Sequence, residues 1–376
     1  MNPVRTGVSP VLFGSKGYTG VSRGLAEIHG RRPVLLRGKD ETLLALPVDG
    51  LDAKRLSAFI MLCAPSVPRL IITARRAMAL GLDARTPMAV RLSADDDGTS
   101  ILTLVADATC NRVPDASPAG RTAAAAIQLV KLSQGLPAVL AAEVTAHSVP
   151  READIITVEA DAVEQFAEEV IKSLTIASEA SVPLNTGTSA RFVIFRDSIG
   201  GTSTAIIVGK PDFTNAVPVR LHSACLTGDV FGSRRCDCGD QLQLAMTRLD
   251  DLGGGVVLYL AQEGRGVGLA NKMRTYQLQD DGLDTVDANT TLGFDDDERD
   301  YGIAARMLQM LNCTRIVLLT NNPAKLDGLA KAGIDIASRM PLQAPVNADN
   351  RRYLTAKAAR AGHRLDHLMA TLADPT

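Results

Sequence analysis

The chain has 376 residues, with 40 basic and 42 acidic side chains for a net charge of -2. Hydrophobic residues make up 46% and charged residues 22%, the balance of a folded chain of about two domains, which excludes disorder as the dominant state. The near-zero charge argues against a general grip on nucleic acid, the 3% aromatic content argues against stacking platforms for single strands, and no apolar run is long enough to span a bilayer.

In chain order, Met1 to Gly20 lacks the charged-then-apolar order of a secretory signal, so a cytoplasmic location is expected. Within it, residues 14–20 read as an arm rather than an anion-binding loop. Residues 33–36 read as a short strand and 122–132 as a helix. Residues 151–174 read as an extended run followed by an acidic amphipathic helix. Residues 178–188 are small, polar and broken by Pro183 and Gly187, which reads as a linker and divides the chain into 1–177 and 178–376. Strand alternation then appears over 190–195, 203–208 and 217–221. A helix over 241–252 is separated by three glycines from a strand over 256–260. Residues 298–311 read as a helix, 315–320 as a buried strand, and a further helix begins near Pro323. Residues 370–376 read as a frayed tail. The alternation predicts an α/β (α+β) architecture of two mixed domains.

The six cysteines are unevenly spread. Cys63, Cys110 and Cys313 stand alone and read as small buried residues. Cys225, Cys236 and Cys238 fall within fourteen residues. In a chain expected in the cytosol, clustered thiols point to metal or redox chemistry. Three thiolates suit zinc and leave one tetrahedral position open for water, whereas His222 as a fourth ligand would close the site. Spacing alone leaves a catalytic zinc, a structural zinc and no metal all open. Convergence of the last two thiols requires a turn at Cys236-Asp237-Cys238, with Gly239 helping.

Two segments suit phosphate. Gln262-Glu263-Gly264-Arg265-Gly266 follows a strand, where glycine permits close backbone approach and Arg265 can fork onto an anion. Such a turn is by itself more often a plain turn, and no GxxxxGK[ST] loop is present. Thr320-Asn321-Asn322-Pro323-Ala324-Lys325 joins a strand to a helix N-terminus, a place that attracts anions, although an ordinary capped helix start reads the same. The acidic run 295–300 reads, taken alone, as a solvated helix start.

Together, the blocks Leu221-His222-Ser223-Ala224-Cys225-Leu226-Thr227-Gly228-Asp229, Arg235-Cys236-Asp237-Cys238-Gly239, Gln262-Glu263-Gly264-Arg265, Asn271-Lys272-Met273-Arg274-Thr275-Tyr276, Asp297-Glu298-Arg299-Asp300 and Leu319-Thr320-Asn321-Asn322-Pro323 resemble GTP cyclohydrolase II, which opens riboflavin biosynthesis. The likeness runs from about residue 191 to residue 363. It implies that Cys225, Cys236 and Cys238 hold Zn²⁺, which supplies the water for attack at C8 of guanine, and that Tyr276 orients that water. It implies release of formate and pyrophosphate, with Arg299 acting at the α-phosphorus and Asp297 as proton acceptor. A guanidinium has no free lone pair while protonated, so charge stabilisation by Arg299 is an equally physical role. The resemblance implies GTP contacts from Arg220, Leu221, His222, Ser223, Ala224, Gln241, Glu263, Gly264, Arg265, Thr285, Thr320 and Lys325, with Mg²⁺ on the triphosphate and a homodimer as the assembly. Ala224 departs from the family pattern, where an acidic residue precedes the first zinc cysteine.

Residues 21–145 are faintly similar to 3,4-dihydroxy-2-butanone 4-phosphate synthase, which is often fused ahead of this cyclohydrolase. Arg121 stands where that family has His, Ala124 where it has Glu, and the loop 37–43 is poor in acids. Losing a metal carboxylate and a proton-transfer group predicts a catalytically dead domain. Three alternatives to the cyclohydrolase are a GTP-binding regulator with structural zinc, a paralogous cyclohydrolase with altered substrate, and a bifunctional enzyme.

Overall fold

The computed structural model describes residues 14–145, 150, 153–184, 187 and 189–360. The tail expected over 370–376 lies outside them. The chain divides into two compact units, Met1–Glu169 with Asp287–Asp295, and Val170–Val286 with Asp296–Thr376. No helix among the described residues is long and apolar enough to cross a membrane.

In the first unit the elements are α1 (Lys16–His29), β1 (Val34–Arg37), β2 (Thr42–Pro47), α2 (Ala53–Cys63), β3 (Arg69–Ile72), α3 (Ala74–Ala79), β4 (Met88–Val90), α4 (Gly98–Ala106), β5 (Ala116–Pro118), α5 (Arg121–Leu132), β6 (Ala138–Glu143), β7 (Thr157–Glu159) and α6 (Ala160–Lys172), whose last turn enters the second unit. The sheet order is β5-β4-β3-β6-β2-β1-β7, antiparallel except for the β1/β7 pair. Residues 14–20, expected as an arm, instead begin α1, capped by the Ser15 side chain. Cys63 is buried as expected, but Cys110 is only half-buried, because it sits in the loop after α4.

Arg76 organises one edge of this unit. It is buried, which pulls its pKa down to about 10, and it has no carboxylate partner among its hydrogen bonds. Nε donates to Leu104 O, Nη2 to Thr103 O and Asp107 O, and Nη1 to Thr291 O. It therefore caps the C-terminus of α4, where carbonyls lack helical partners. It also holds the segment 287–295, which returns to this unit from late in the chain. Thr73 Oγ1 donates to Gly293 O at 2.7 Å in the same segment.

The second unit contains β8 (Thr175–Pro183), β9 (Ser189–Arg196), β10 (Thr202–Gly209), β11 (Val217–Ser223), α7 (Cys238–Asp251), β12 (Gly254–Leu260), α8 (Leu269–Asp280), α9 (Thr285–Thr291), α10 (Gly302–Met310), β13 (Arg315–Leu319), α11 (Pro323–Lys331), β14 (Asp335–Met340) and α12 (Arg351–Arg360). Residues 287–291 of α9 group with the first unit. The sheet order is β14-β13-β11-β12-β10-β9-β8. The first four strands are parallel and the last three join antiparallel. From β11 the chain moves to β12 on one side, and from β13 to β14 on the other. The C-terminal ends of β11 and β13 thus flank a topological switch point, where open α/β sheets place their ligands.

Alternation along the strands separates core from site. Val217, Val219 and Leu221 of β11 and Val256, Leu258 and Leu260 of β12 enter the larger apolar core. Arg220, His222 and Tyr259 fall on the opposite face, and His222 is in register with Tyr259.

Two expectations are corrected. Residues 178–183, read as linker, belong to edge strand β8. All nine residues of β8 are exposed, so neither face needed apolar side chains and the periodic signal was missing. The helix expected from 298 begins at Gly302 instead. Asp297 and Asp300 take the backbone N–H groups of Arg299 and Gly302, which diverts the chain from helical bonding.

Arg76→Met would leave buried carbonyls on α4 and at Thr291 without donors. We expect it to destabilise the protein by about 3 kcal/mol, measured as a lower denaturation midpoint.

Candidate active site

The centre is built where β11 ends. Beyond Ser223 the chain passes Cys225 into a π-helical turn, Leu226–Val230, then returns through Cys236 to Cys238 at the start of α7. Among the described residues, the Cys225, Cys236 and Cys238 sulfurs form the one group of potential metal ligands, all within 4.8 Å of one another. Cys225 Sγ and Cys236 Sγ are 3.7 Å apart. A tetrahedral zinc with bonds of about 2.3 Å spaces its sulfur ligands by about 3.8 Å, so the donor set and its spacing fit that ion. His222, the alternative fourth ligand, is not in this group; its Nε2 faces Asp229 instead.

Two glycines make the convergence possible. A Cβ on Gly228 would sit 3.0 Å from Cys236 Sγ and 3.1 Å from Cys225 Sγ, inside the space the sulfurs surround. A Cβ on Gly239 would meet Gly228 O at 2.4 Å. Cys236-Asp237-Cys238 forms the expected turn, and the role of Gly239 is close approach of the two backbones.

The thiols do not titrate alike. Hydrogen bonds from Cys236 and Cys238, with Lys272 adding to them, hold Cys225 far below the usual thiol range, whereas Cys236 and Cys238 are pushed up. Lys272 Nζ lies 3.0 Å from Cys225 Sγ, 3.0 Å from Thr227 Oγ1 and 2.9 Å from Glu263 Oε1. Burial works against the Lys272 charge, but its bonds to Cys225 and Glu263 outweigh burial and raise its pKa. Lys272 is a site residue outside the expected set; its position one helical turn before Tyr276 is the available signal. The Tyr276 ring lies 5.7 Å from Lys272 Nζ and 4.6 Å from the Arg235 guanidinium.

Most of the expected GTP contacts gather at the same strand ends. Arg220 is buried, its pKa drawn down to about 10 by burial; it donates to Leu319 O and to Gln241 Oε1. Lys325 Nζ donates to Leu221 O at 2.7 Å. Thr320 Oγ1 accepts from Asn322 N at the capped start of α11. Ser223 is half-buried, and Ala224 N donates to Leu260 O. Glu263 accepts from Leu226 N, Gly264 N and Lys272, three of the roughly four acceptor positions a carboxylate offers. The side-chain hydrogen bond of Thr285 is with Gln279 and not with this cluster.

The glycine-rich turn serves the acidic run. Gly264 and Arg265 both take φ of 62°. Arg265 Nη1 donates to Asp296 Oδ1 and O, and its carbonyl accepts from Glu298 N. Gly266 has φ of +94°, and a Cβ there would lie 2.9 Å from the Glu298 backbone. The close approach predicted for this turn is thus to the 296–299 chain. There Arg299 forms a two-pronged pair with Asp297, Nε to Oδ1 at 2.7 Å and Nη2 to Oδ2 at 2.5 Å. Burial raises the Asp297 pKa, but Arg299 outweighs it and holds the carboxylate below its usual range.

Gly228→Ala would place a methyl among the sulfurs. We expect metal affinity to fall by about 10–100-fold, read by chelator competition, with the circular dichroism spectrum unchanged.

Comparison with known proteins agrees with this geometry. The family model for GTP cyclohydrolase II matches residues 175–341. A GTP cyclohydrolase-2 from Xylella fastidiosa is 40% identical over 370 residues, 96% of this chain and 91% of that protein. A riboflavin biosynthesis protein (RibBA) from Bacillus cytotoxicus is 52% identical over 162 residues, 43% of this chain and 41% of that one. A solved two-domain 3,4-dihydroxy-2-butanone 4-phosphate synthase from A. baumannii superposes with a TM-score of 0.33 at 13% identity over 86% of this chain and 99% of that chain, a likeness too slight to argue from. With 40% identity sustained across nearly the whole length, the chain belongs to the GTP cyclohydrolase II family and is an enzyme of that kind.

Proposed function

We propose that this enzyme hydrolyses GTP at a zinc-supported centre, releasing formate and pyrophosphate and leaving a diaminopyrimidinone ribotide, and that it serves riboflavin biosynthesis. The observation that carries the reading is the convergence of three thiols at the end of β11 in a chain of this family. The name of the Bacillus cytotoxicus relative supports the pathway.

Cys225, Cys236 and Cys238 would hold zinc, which when bound supplies Lewis acidity that lowers the pKa of water for attack at C8 of guanine. Tyr276, one turn along α8 from Lys272, orients the attacking water. Lys272 balances thiolate charge at Cys225. Glu263 offers its remaining acceptor position to an N–H on the N1/2-amino edge of guanine, an edge at which adenine has no donor. Arg220 and Lys325 attract the triphosphate with its Mg²⁺, and Thr320 lies beside them at the switch point. Two waters are consumed in opening the imidazole ring and freeing formate, and one in splitting the α–β phosphoanhydride. Asp297 takes the proton at the phosphate, and Arg299 stabilises charge developing there. The two-pronged bond to Asp297 favours that role over a nucleophilic one, since it engages the protonated guanidinium.

For the first domain, residues 1–177, we propose a synthase-like scaffold without its own chemistry, ahead of a cyclohydrolase domain over 178–376. Arg121, at the position of the proton-transfer His, donates twice to Glu164.

The test is incubation of the purified protein with GTP and Mg²⁺, following formate and pyrophosphate. Both should form, and Cys236→Ser should lose zinc and formate together. Zinc retained with GTP bound and neither product formed would mean a regulatory protein with structural zinc. Arg299→Gln should lower kcat for pyrophosphate release by about 10²–10³-fold, with Arg299→Lys retaining more because it keeps the charge.

A further inference from the structure

Asp229 has no part in the chemistry above, yet three atoms converge on its carboxylate, which is 3% exposed. Oδ2 accepts the Cys225 N–H at 2.9 Å and the Tyr259 hydroxyl at 2.9 Å. His222 Nε2 lies 3.1 Å from Oδ1 and 3.2 Å from Oδ2. A carboxylate offers acceptors only, so Nε2 carries the hydrogen. The imidazole plane is set by Tyr259, whose ring is stacked on it at 5.6 Å between centroids and 18° between planes.

The other ring nitrogen, Nδ1, is buried and has no partner among the described residues. Two residues earlier on the same strand face, Arg220 Nε is also buried without one. Burial lowers the His222 pKa; Asp229 opposes the shift, and Arg220 and Lys325 add to it. With Nε2–H given to Asp229, Nδ1 of the neutral ring bears a lone pair. Leaving a buried polar atom unpaired is unfavourable, and a bound group can relieve it. Phosphate oxygens are acceptors and cannot do so at Nδ1; an O–H or N–H can.

We propose that Asp229 is a positioning residue that fixes His222 as the Nε2–H tautomer, so that Nδ1 accepts a hydrogen bond from an O–H or N–H of the bound nucleotide. This rests on the reading above that GTP binds at the end of β11. Asp229 thereby couples two parts of the site, since the same carboxylate anchors the backbone of the first zinc cysteine.

Long-range ¹H–¹⁵N spectra of the zinc-loaded protein test this without substrate. They should show His222 neutral, with the hydrogen on Nε2 and a pyridine-like Nδ1 whose shift moves when GTP is added to the parent in the cold. Asp229→Asn turns an amide N–H toward Nε2 and forces the hydrogen onto Nδ1. We expect kcat/KM for GTP to fall at least about 100-fold, with the proton relocated in the spectrum. His222→Gln, whose amide can donate to Asp229 and present a carbonyl oxygen, should recover part of the activity that His222→Leu loses. A parent protein with the hydrogen on Nδ1, or an Asp229→Asn protein with relocated hydrogen and kcat/KM within about twofold of the parent, would overturn the proposal. Failure of the parent to turn over GTP would instead sink the reading of the site, while the tautomer stayed measurable. Should Asp229→Asn lose its zinc, the parent spectrum and the His222 pair decide the matter.

Discussion

Three sulfur atoms, each able to carry negative charge, are forced together at the end of one strand, and the neighbouring structure is arranged around that constraint. Two glycines remove the side chains that would keep the sulfurs apart, Gly228 beneath them and Gly239 where the two backbones meet. One buried cation, Lys272, stands against the first thiol, and its own charge is sustained by Glu263. Opposed charges at this range and burial interact far more strongly than in water, so cluster and cation stabilise each other. Glu263 also accepts from Leu226 N, which ties the turn carrying the first cysteine to the end of β12. Disturbing any one of these contacts exposes the others to an unbalanced charge.

The sheet gives the cluster its surroundings. Alternation on β11 sends Leu221 into the core and presents Arg220 and His222 on the other face. Because β11 and β13 lead away in opposite directions, their ends are left uncovered by connections, and Thr320 and Lys325 arrive there from the β13 side. The loop bearing Asp297 and Arg299 is fastened by the glycine-rich turn, whose left-handed backbone at Gly264, Arg265 and Gly266 permits contact that a side chain at Gly266 would block.

The first unit is a different kind of object. Its own sheet is nearly all antiparallel, and its interior is apolar with Arg76 as a buried cation solvated by carbonyls. It is completed by nine residues from late in the chain, Asp287–Asp295, with Leu292 and Phe294 buried. The Xylella fastidiosa relative aligns over 96% of the chain, a span that includes this unit. Arg121 spends its donors on Glu164.

Residue order alone established a good deal here. The strands at 190–195, 203–208, 217–221, 256–260 and 315–320 were legible because a period-two pattern or a short apolar run is a local property. So was the thiol cluster, because its three members lie within fourteen residues and thiols have few uses in such a cluster. Edge strand β8 was hidden, because a strand exposed on both faces has a linker's composition. Only the tertiary structure decided what the glycines are for, since Gly228 and Gly266 are defined by atoms that approach them from elsewhere in the chain. It alone turned His222 away from the sulfurs and toward Asp229, made Lys272 the counterion of Cys225, and set Arg265 on Asp296. The Lys272 and Arg265 contacts join residues far apart in sequence, and the His222 contact depends on how the π-helical turn folds back on β11, so composition and spacing carry no trace of them.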